Sequence, residues 1–223
     1  MLKLGKTNDT PIVTLNPYEY EGFRFYNSAV DALSLSKNVS KHDFFISYIE
    51  YKDIITATLN ISRTTDDDDL ENIISVKIYE ELSLDPAIDY KIVYFESKVN
   101  TEERIFNVFI IANETINKIF KNISKRVSFI DYVAVEPLLY GAIYKKGLLP
   151  STQTDCFLTI RADEAFVSIY VNGEYLTSRS IRYTLNYLRD KFVEQSGERI
   201  SSDKFADILK TKGLVDKEEE GFN

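Results

Sequence analysis

The stretch IRADEAFVSIYVNGEYL, residues 160–176, places Arg161 and Asp163 at the mouth of an otherwise apolar, β-like run. A carboxylate and a glycine at such a turn can do phosphate chemistry. The carboxylate holds Mg²⁺ or its water, and the glycine lets the backbone approach a phosphate with no Cβ in the way. Arginine cannot ligate a cation, although it can attract an anion. Other chemistry-bearing residues are sparse. His42 is the only histidine and Cys156 the only cysteine, which excludes an internal disulfide and a cysteine-based zinc site. Ser-His-Asp and Cys-His catalysis are also removed unless His42 serves, and its polar setting, VSKHDFF, predicts an exposed ring instead. Cys156, within the apolar run TDCFLTI, reads as a small buried hydrophobe and not as a nucleophile.

The acidic groups do not assemble into a catalytic pair or a metal centre. Asp66 to Asp69 stand at the start of a helical pattern, where carboxylates complement the helix dipole, and consecutive residues point around a helix instead of converging. Glu80-Glu81 and Glu102-Glu103 are adjacent pairs on polar faces, unlike the separated acids of a glycosidase. Glycosylation sequons at Asn38, Asn60, Asn113 and Asn122 read as chance matches in an Asn-rich chain without a signal peptide.

The chain has 223 residues, 44% of them hydrophobic and 28% charged, enough to bury a substantial core. Its net charge of −8, with scattered lysines and arginines, argues against a nucleic-acid partner, which needs a basic stripe. No run approaches the ~18 apolar residues of a membrane span, so the chain is expected to be soluble and cytoplasmic.

The elements that position these residues follow from hydrophobic period. Residues 11–30 mix a short β-like run with turns. FFISYIEYKDIITATLNI, residues 44–61, reads as a hairpin or as two consecutive strands. A helix follows, capped by Thr65 or an early aspartate, with Ile73, Ile74, Ile78, Leu82 and Leu84 on its buried face. IDYKIVYFES and RIFNVFIIAN are strong strands, and NETINKIFKNIS is a short amphipathic helix. A strand over residues 130–135 meets a bend at Pro137 and a helix ending near Gly147. The pattern then restarts as a three-strand meander with Asn172-Gly173 as its tight turn, followed by helices in RYTLNYLRDKFVEQSG and SSDKFADILKTKGL. VDKEEEGFN reads as a solvated acidic tail. Meanders and crossover helices with a restart near residue 150 predict an α/β protein of two related lobes.

YVAVEPLLYGAIY, then a linker, a meander, a helix and FADILK, resembles in order and pattern the PilM family of type IV pilus assembly proteins and its relative, the cytoplasmic domain of GspL in type II secretion. The resemblance runs from about residue 45 to 214, and LENIISVKIYEELSLDPAIDYKIVYFES with RIFNVFIIANETINKIF is similar to the family's inserted subdomain. It implies actin-like, ribonuclease H-like lobes: residues 1–150 as a first lobe carrying an insert over about 62–125, 151–214 as part of a second lobe, and an acidic tail at 215–223. It implies a cytoplasmic scaffold at a bacterial inner membrane, in a pilus, type II secretion or DNA-uptake (competence) platform. Such a scaffold binds a membrane-anchored, PilN-like partner and links it to the motor ATPase. Two departures from the family pattern stand out. The start, PIVTLNPYEYEG, has no Gly-rich first phosphate hairpin, and the chain stops after FADILKTKGL, short of the adenine-binding glycines, as a reduced protein or a fragment of a longer one would.

Laid on the family's V-D-x-G-x-x-x-T-S-L phosphate stretch, Ile160 meets the valine, Arg161 the aspartate, Asp163 the glycine and Val167 the threonine, with Ser168 and Ile169 closing the match. The resemblance therefore makes Arg161, Asp163 and Ser168 a vestigial phosphate hairpin. Asp163 against a triphosphate would cost about 4 kcal/mol at an effective dielectric of ~20. No cofactor, metal or catalytic residue is expected. Two other readings stay open: a nucleotide-binding actin-like ATPase or kinase-type enzyme, and an unrelated protein-binding module using its Tyr-rich sheet. In the plainest reading Arg161 and Asp163 are polar strand ends facing solvent.

Overall fold

The computed structural model describes residues 10–19, 21–27, 29–34, 40, 42–97 and 103–212. The acidic tail, Asn38 and Glu102 lie outside these residues. Alternation along IVTLN turns Val13 and Leu15 to one face, where both are buried, and makes β1 (Ile12–Asn16) the middle of a sheet. β2 (Glu21–Tyr26) and β3 (Ala29–Ser34) continue from it as an antiparallel meander. β4 (Phe44–Ile49) and, farther along the chain, β8 (Tyr132–Val135) lie parallel to β1, giving the order β3-β2-β1-β4-β8. That is a ribonuclease H-like layout, and the start of the chain, read only as a short β-like run with turns, supplies three of its strands. Val13, Leu15 and Phe45 pack against Ile123 and Val127 beneath it.

Residues 44–61 do not form a hairpin. After β4 the chain turns through a 3₁₀ turn, Tyr51–Asp53, and enters β5 (Ile55–Ile61), which belongs to another sheet. Two bonds, Asp53 N–H to the Glu50 carbonyl and Ile54 N–H to the Tyr51 carbonyl (both 3.1 Å), make the corner. β5, β7 (Arg104–Ala112) and β6 (Tyr90–Ser97) form an inserted antiparallel sheet in the order β5-β7-β6. α1 (Asp67–Leu82) covers it, burying Leu70, Ile74 and Ile78 on Leu59, Ile61, Phe106, Val108 and Ile110, with Ile73, Leu82 and Leu84 half-buried around them. Asp66 is the N-cap residue, and Asp67 holds Arg104 at 2.7 Å, so the acidic run serves the helix start. Among the described residues no group of three ligating side chains is arranged to hold a metal.

α2 (Asn113–Phe120) follows β7 directly, while α3 (Glu136–Leu139) and α4 (Gly141–Lys145) follow β8. Pro137 lies in the first turn of α3, where its missing N–H costs nothing, and the break comes later, at Tyr140. β9 (Thr154–Ile160), β10 (Ala165–Val171) and β11 (Glu174–Ser180) make the expected meander. Its turn holds Asn172 at φ 53° and Gly173 at φ 78°, where a Cβ on Gly173 would also come within 2.8 Å of Ser151. α5 (Leu185–Ser196), capped by the Thr184 side chain, and α6 (Ser202–Lys212) complete the fold and meet through Phe192 and Phe205. None of the described helices is long and apolar enough to cross a membrane.

Cys156 is exposed, contrary to the buried position expected of it. β9 is an edge strand whose Phe157 stacks on Tyr140, and the two-residue period then turns Cys156 outward. The meander is tied to the first sheet by Tyr170, whose buried hydroxyl donates to the Pro137 carbonyl (2.8 Å) and accepts from Gly141 N–H (3.1 Å). Tyr170→Phe leaves both backbone groups without this partner, and we expect a loss of about 2 kcal/mol in urea denaturation.

Candidate functional site

The turn between β9 and β10 is built as a cap. Arg161 N–H donates to the Glu164 carbonyl (2.7 Å), while the carbonyls of Arg161 and Ala162 accept from the first N–H groups of α5, on Leu185 (2.9 Å) and Asn186 (3.1 Å). Asp163 is exposed and accepts from Asn186 Nδ2 at 2.5 Å. Ser168 is wholly buried within the meander and shares a 2.8 Å hydrogen bond with Ser178. The three residues expected to form one phosphate hairpin therefore have separate surroundings.

Arg161 does not end in solvent. Its guanidinium reaches the Glu136 carboxylate with two hydrogen bonds, one of 3.1 Å from Nη1 and one from Nη2, and it meets Glu164 at 2.9 Å and Glu50 at 3.7 Å. The three glutamate side chains are at least nine-tenths buried, whereas that of Arg161 is 32% exposed. Glu50 closes β4 and also pairs with Lys52; Glu136 opens α3 and accepts from Tyr51 N–H (3.0 Å). The node thus joins the meander to the ends of two neighbouring parallel strands, β4 and β8.

The β1–β2 connection reaches the same place. A hairpin does exist at the start of the chain, and what it lacks is glycine: Pro17, Tyr18 and Glu19 occupy its turn. Asn16 Oδ1 accepts from the N–H groups of Tyr18 (3.0 Å) and Glu19 (3.3 Å), donors that a phosphate would need. The Tyr18 hydroxyl donates to Asp53 (2.8 Å) and accepts from Glu50 N–H (2.9 Å).

The local field is negative. Tyr48 is pushed up to about 12, first by burial and then by the charge of Glu50. Burial works against the charge of Arg161, but hydrogen bonding to Glu136 and the fields of Glu136, Glu50 and Glu164 prevail and raise its pKa. Glu164 is also shifted upward, mainly by burial, with Arg161 opposing and Glu136 and Glu50 adding like-charge repulsion; its Oε1 is buried without a hydrogen-bond partner. An incoming phosphate would meet three carboxylates whose charge Arg161 and Lys52 only partly offset. The one well-placed guanidinium is already engaged.

A second feature lies on the far side of β8, the open edge of the five-stranded sheet. A groove of about 430 Å³ runs between this edge, α2 and the inserted sheet, with Val93, Phe109, Ile111, Ile116, Phe129 and Val133 among its walls. Lys91 is its only charged lining residue. Val93, Phe129 and Val133 are exposed despite being apolar.

Sequence reasoning singled out Arg161 and overlooked its partners and the groove. A signal for the partners was present: Glu50 and Glu136 each interrupt an apolar run, FFISYIEY and YVAVEP. A carboxylate in such a run needs a cation once buried.

Two substitutions test the node. Arg161→Met leaves three buried carboxylates without their main cation, and urea denaturation should show a loss of about 2–3 kcal/mol, reduced by the partial exposure of the arginine. For Glu164 the raised folded-state pKa means that its stabilising contribution is present below the unfolded value of 4.5 and is lost as pH rises through the folded value. Glu164→Gln should therefore gain stability relative to the parent between about pH 4 and 7, in paired melts across that range.

No protein-family model matches the chain, and no curated protein matches it. Solved structures do. A PilM–PilN type IV pilus biogenesis complex superposes with a TM-score of 0.62 at 8% identity, over 92% of this chain and 70% of that one. The cytoplasmic domain of EpsL, an inner membrane component of the type II secretion system of Vibrio cholerae, gives 0.51 at 13% identity, over 86% and 79%. The chain is similar to both in fold, and its ribonuclease H-like sheet and inserted antiparallel sheet make that fold actin-like α/β.

Proposed function

We propose that this chain is a non-catalytic scaffold of a bacterial pilus, type II secretion or DNA-uptake platform, acting at the cytoplasmic face of the inner membrane. Its apolar groove receives an apolar segment of a membrane-anchored, PilN-like protein, and the scaffold connects that protein to the motor ATPase. The observation that carries this reading is the groove itself: about 430 Å³, one charged residue in its lining, and apolar side chains exposed beside an open strand edge. Exposed apolar surface of this kind is costly to keep unless a partner uses it. The likeness in fold to a PilM–PilN complex and to an inner membrane component of a secretion system supports the same class.

The ionic node supports a scaffold over a nucleotide-driven enzyme. Arg161, Tyr18 and Asn16 already occupy the donors and the charge that a triphosphate would need. We expect no rise in Tm with Mg·ATP, and a clear rise would favour the ATPase or kinase alternative.

The groove is tested with the PilN-like inner membrane protein encoded in the same genome, measuring its affinity for the parent chain and for Val133→Asp. Val133 is 40% exposed, so the variant should fold, and it places a charge in an apolar wall. Binding should weaken by at least about tenfold, ~1.4 kcal/mol. Equal binding by both proteins would refute the groove as the docking site.

A further inference from the structure

A third region of the molecule is chemically unlike the other two. Where the inserted sheet faces the free edge of β11, a cavity of about 370 Å³ is lined by Thr56 and Thr58 of β5, Asn107 of β7, and Thr177, Arg179 and Ser180 of β11. Tyr51 closes one side, its hydroxyl donating to the Ser178 carbonyl at 3.1 Å. None of the node's glutamates reaches it. The chain carries 35 acidic residues, yet no Asp or Glu lines this cavity, and Arg179 is its only charged lining residue.

One donor in the lining is buried with no partner, and one cation is exposed without a protein counter-ion. Asn107 is 3% exposed, and its Oδ1 accepts a 3.5 Å bond from the Thr58 hydroxyl, but its Nδ2 is buried without a partner. Leaving such a donor unsatisfied costs about 1–3 kcal/mol. The exposed Arg179 guanidinium makes no ion pair or hydrogen bond with the side chains of the described residues, and its fork is shaped for a carboxylate or a phosphate. Thr56, Thr58, Thr177 and Ser180 also line the cavity.

We propose that this cavity binds a small hydroxylated oxyanion of sugar-phosphate or sugar-acid size, its oxyanion on Arg179 and its neutral oxygens on Asn107 Nδ2 and the hydroxyls. The required chemistry is acceptor oxygen with negative charge: the lining offers one cation, one unsatisfied amide donor and rotatable hydroxyls, and no carboxylate to repel an anion. The volume lies near the lower end of the ~300–1,000 Å³ typical of small-molecule sites. The site is independent of the partner groove and of the proposed scaffold role.

The test titrates the full chain with ribose 5-phosphate, gluconate and ribose, following the Asn107 side-chain amide by NMR and affinity by calorimetry. Ribose 5-phosphate or gluconate should shift the Asn107 resonance, and comparison of the two assigns the phosphate or carboxylate source. Arg179→Gln, at an exposed position that should not affect folding, should weaken that binding about tenfold, and neutral ribose should bind the parent no better than the charged compound binds this variant. The proposal is overturned if neither anion moves the Asn107 amide at millimolar concentration, which leaves water as its partner. It is equally overturned if Arg179→Gln binds as the parent does.

Discussion

Arg161 is the one cation shared by three buried carboxylates contributed by three separate parts of the chain. Glu164 comes from its own hairpin, Glu136 from the start of α3 and Glu50 from the end of β4, so the meander is oriented against the five-stranded sheet by charge as well as by packing. Without the guanidinium, three carboxylates would face one another in a poorly solvated space, an arrangement more costly than the pair is favourable. The tolerance of this geometry for other ligands follows from the same constraint. A polyphosphate needs free donors and a metal held by a carboxylate, whereas here the donors are occupied and the cation is part of the protein.

The packing around the node is consistent with a fixed relation between the parts. Tyr51 stacks on Phe166 of β10 at 4.6 Å, and its hydroxyl reaches the Ser178 carbonyl of β11. Tyr170 binds the α3 and α4 backbones from the opposite side. These contacts leave two openings of contrasting character, an apolar groove beside β8 and a donor-rich cavity beside β11, which share Phe109 in their walls. In the scaffold reading, the node sets the frame and the apolar groove does the recognising.

Much of this fold was legible from hydrophobic period. The two-residue alternation in AFVSIYV and the Asn-Gly turn predict the meander, and the spacing of Ile74 and Ile78 predicts the covered face of α1. What stayed open or was missed has physical causes. FFISYIEYKDIITATLNI carries the same β pattern whether its halves pair or separate, and only tertiary contacts at Tyr51 send β5 to another sheet. Cys156 lies in an apolar run, yet only one face of its edge strand is covered. At the node, the substitution of arginine for a carboxylate was visible at Arg161, but its partners lie 25 residues away at Glu136 and farther at Glu50, and no local pattern links them. Asp163 and Ser168, grouped with Arg161 in the reading of the motif, instead accept from the Asn186 side chain and share a buried hydroxyl pair with Ser178.

The placement of the meander on the first sheet depends on Arg161 and Glu136 acting as one unit across their boundary. A double-mutant cycle of Arg161→Met and Glu136→Gln, measured by urea denaturation, tests this most directly. The account predicts a coupling of at least about 1.5 kcal/mol, because removing either partner leaves the other uncompensated. Additive effects, with a coupling within about 0.3 kcal/mol of zero, would contradict it.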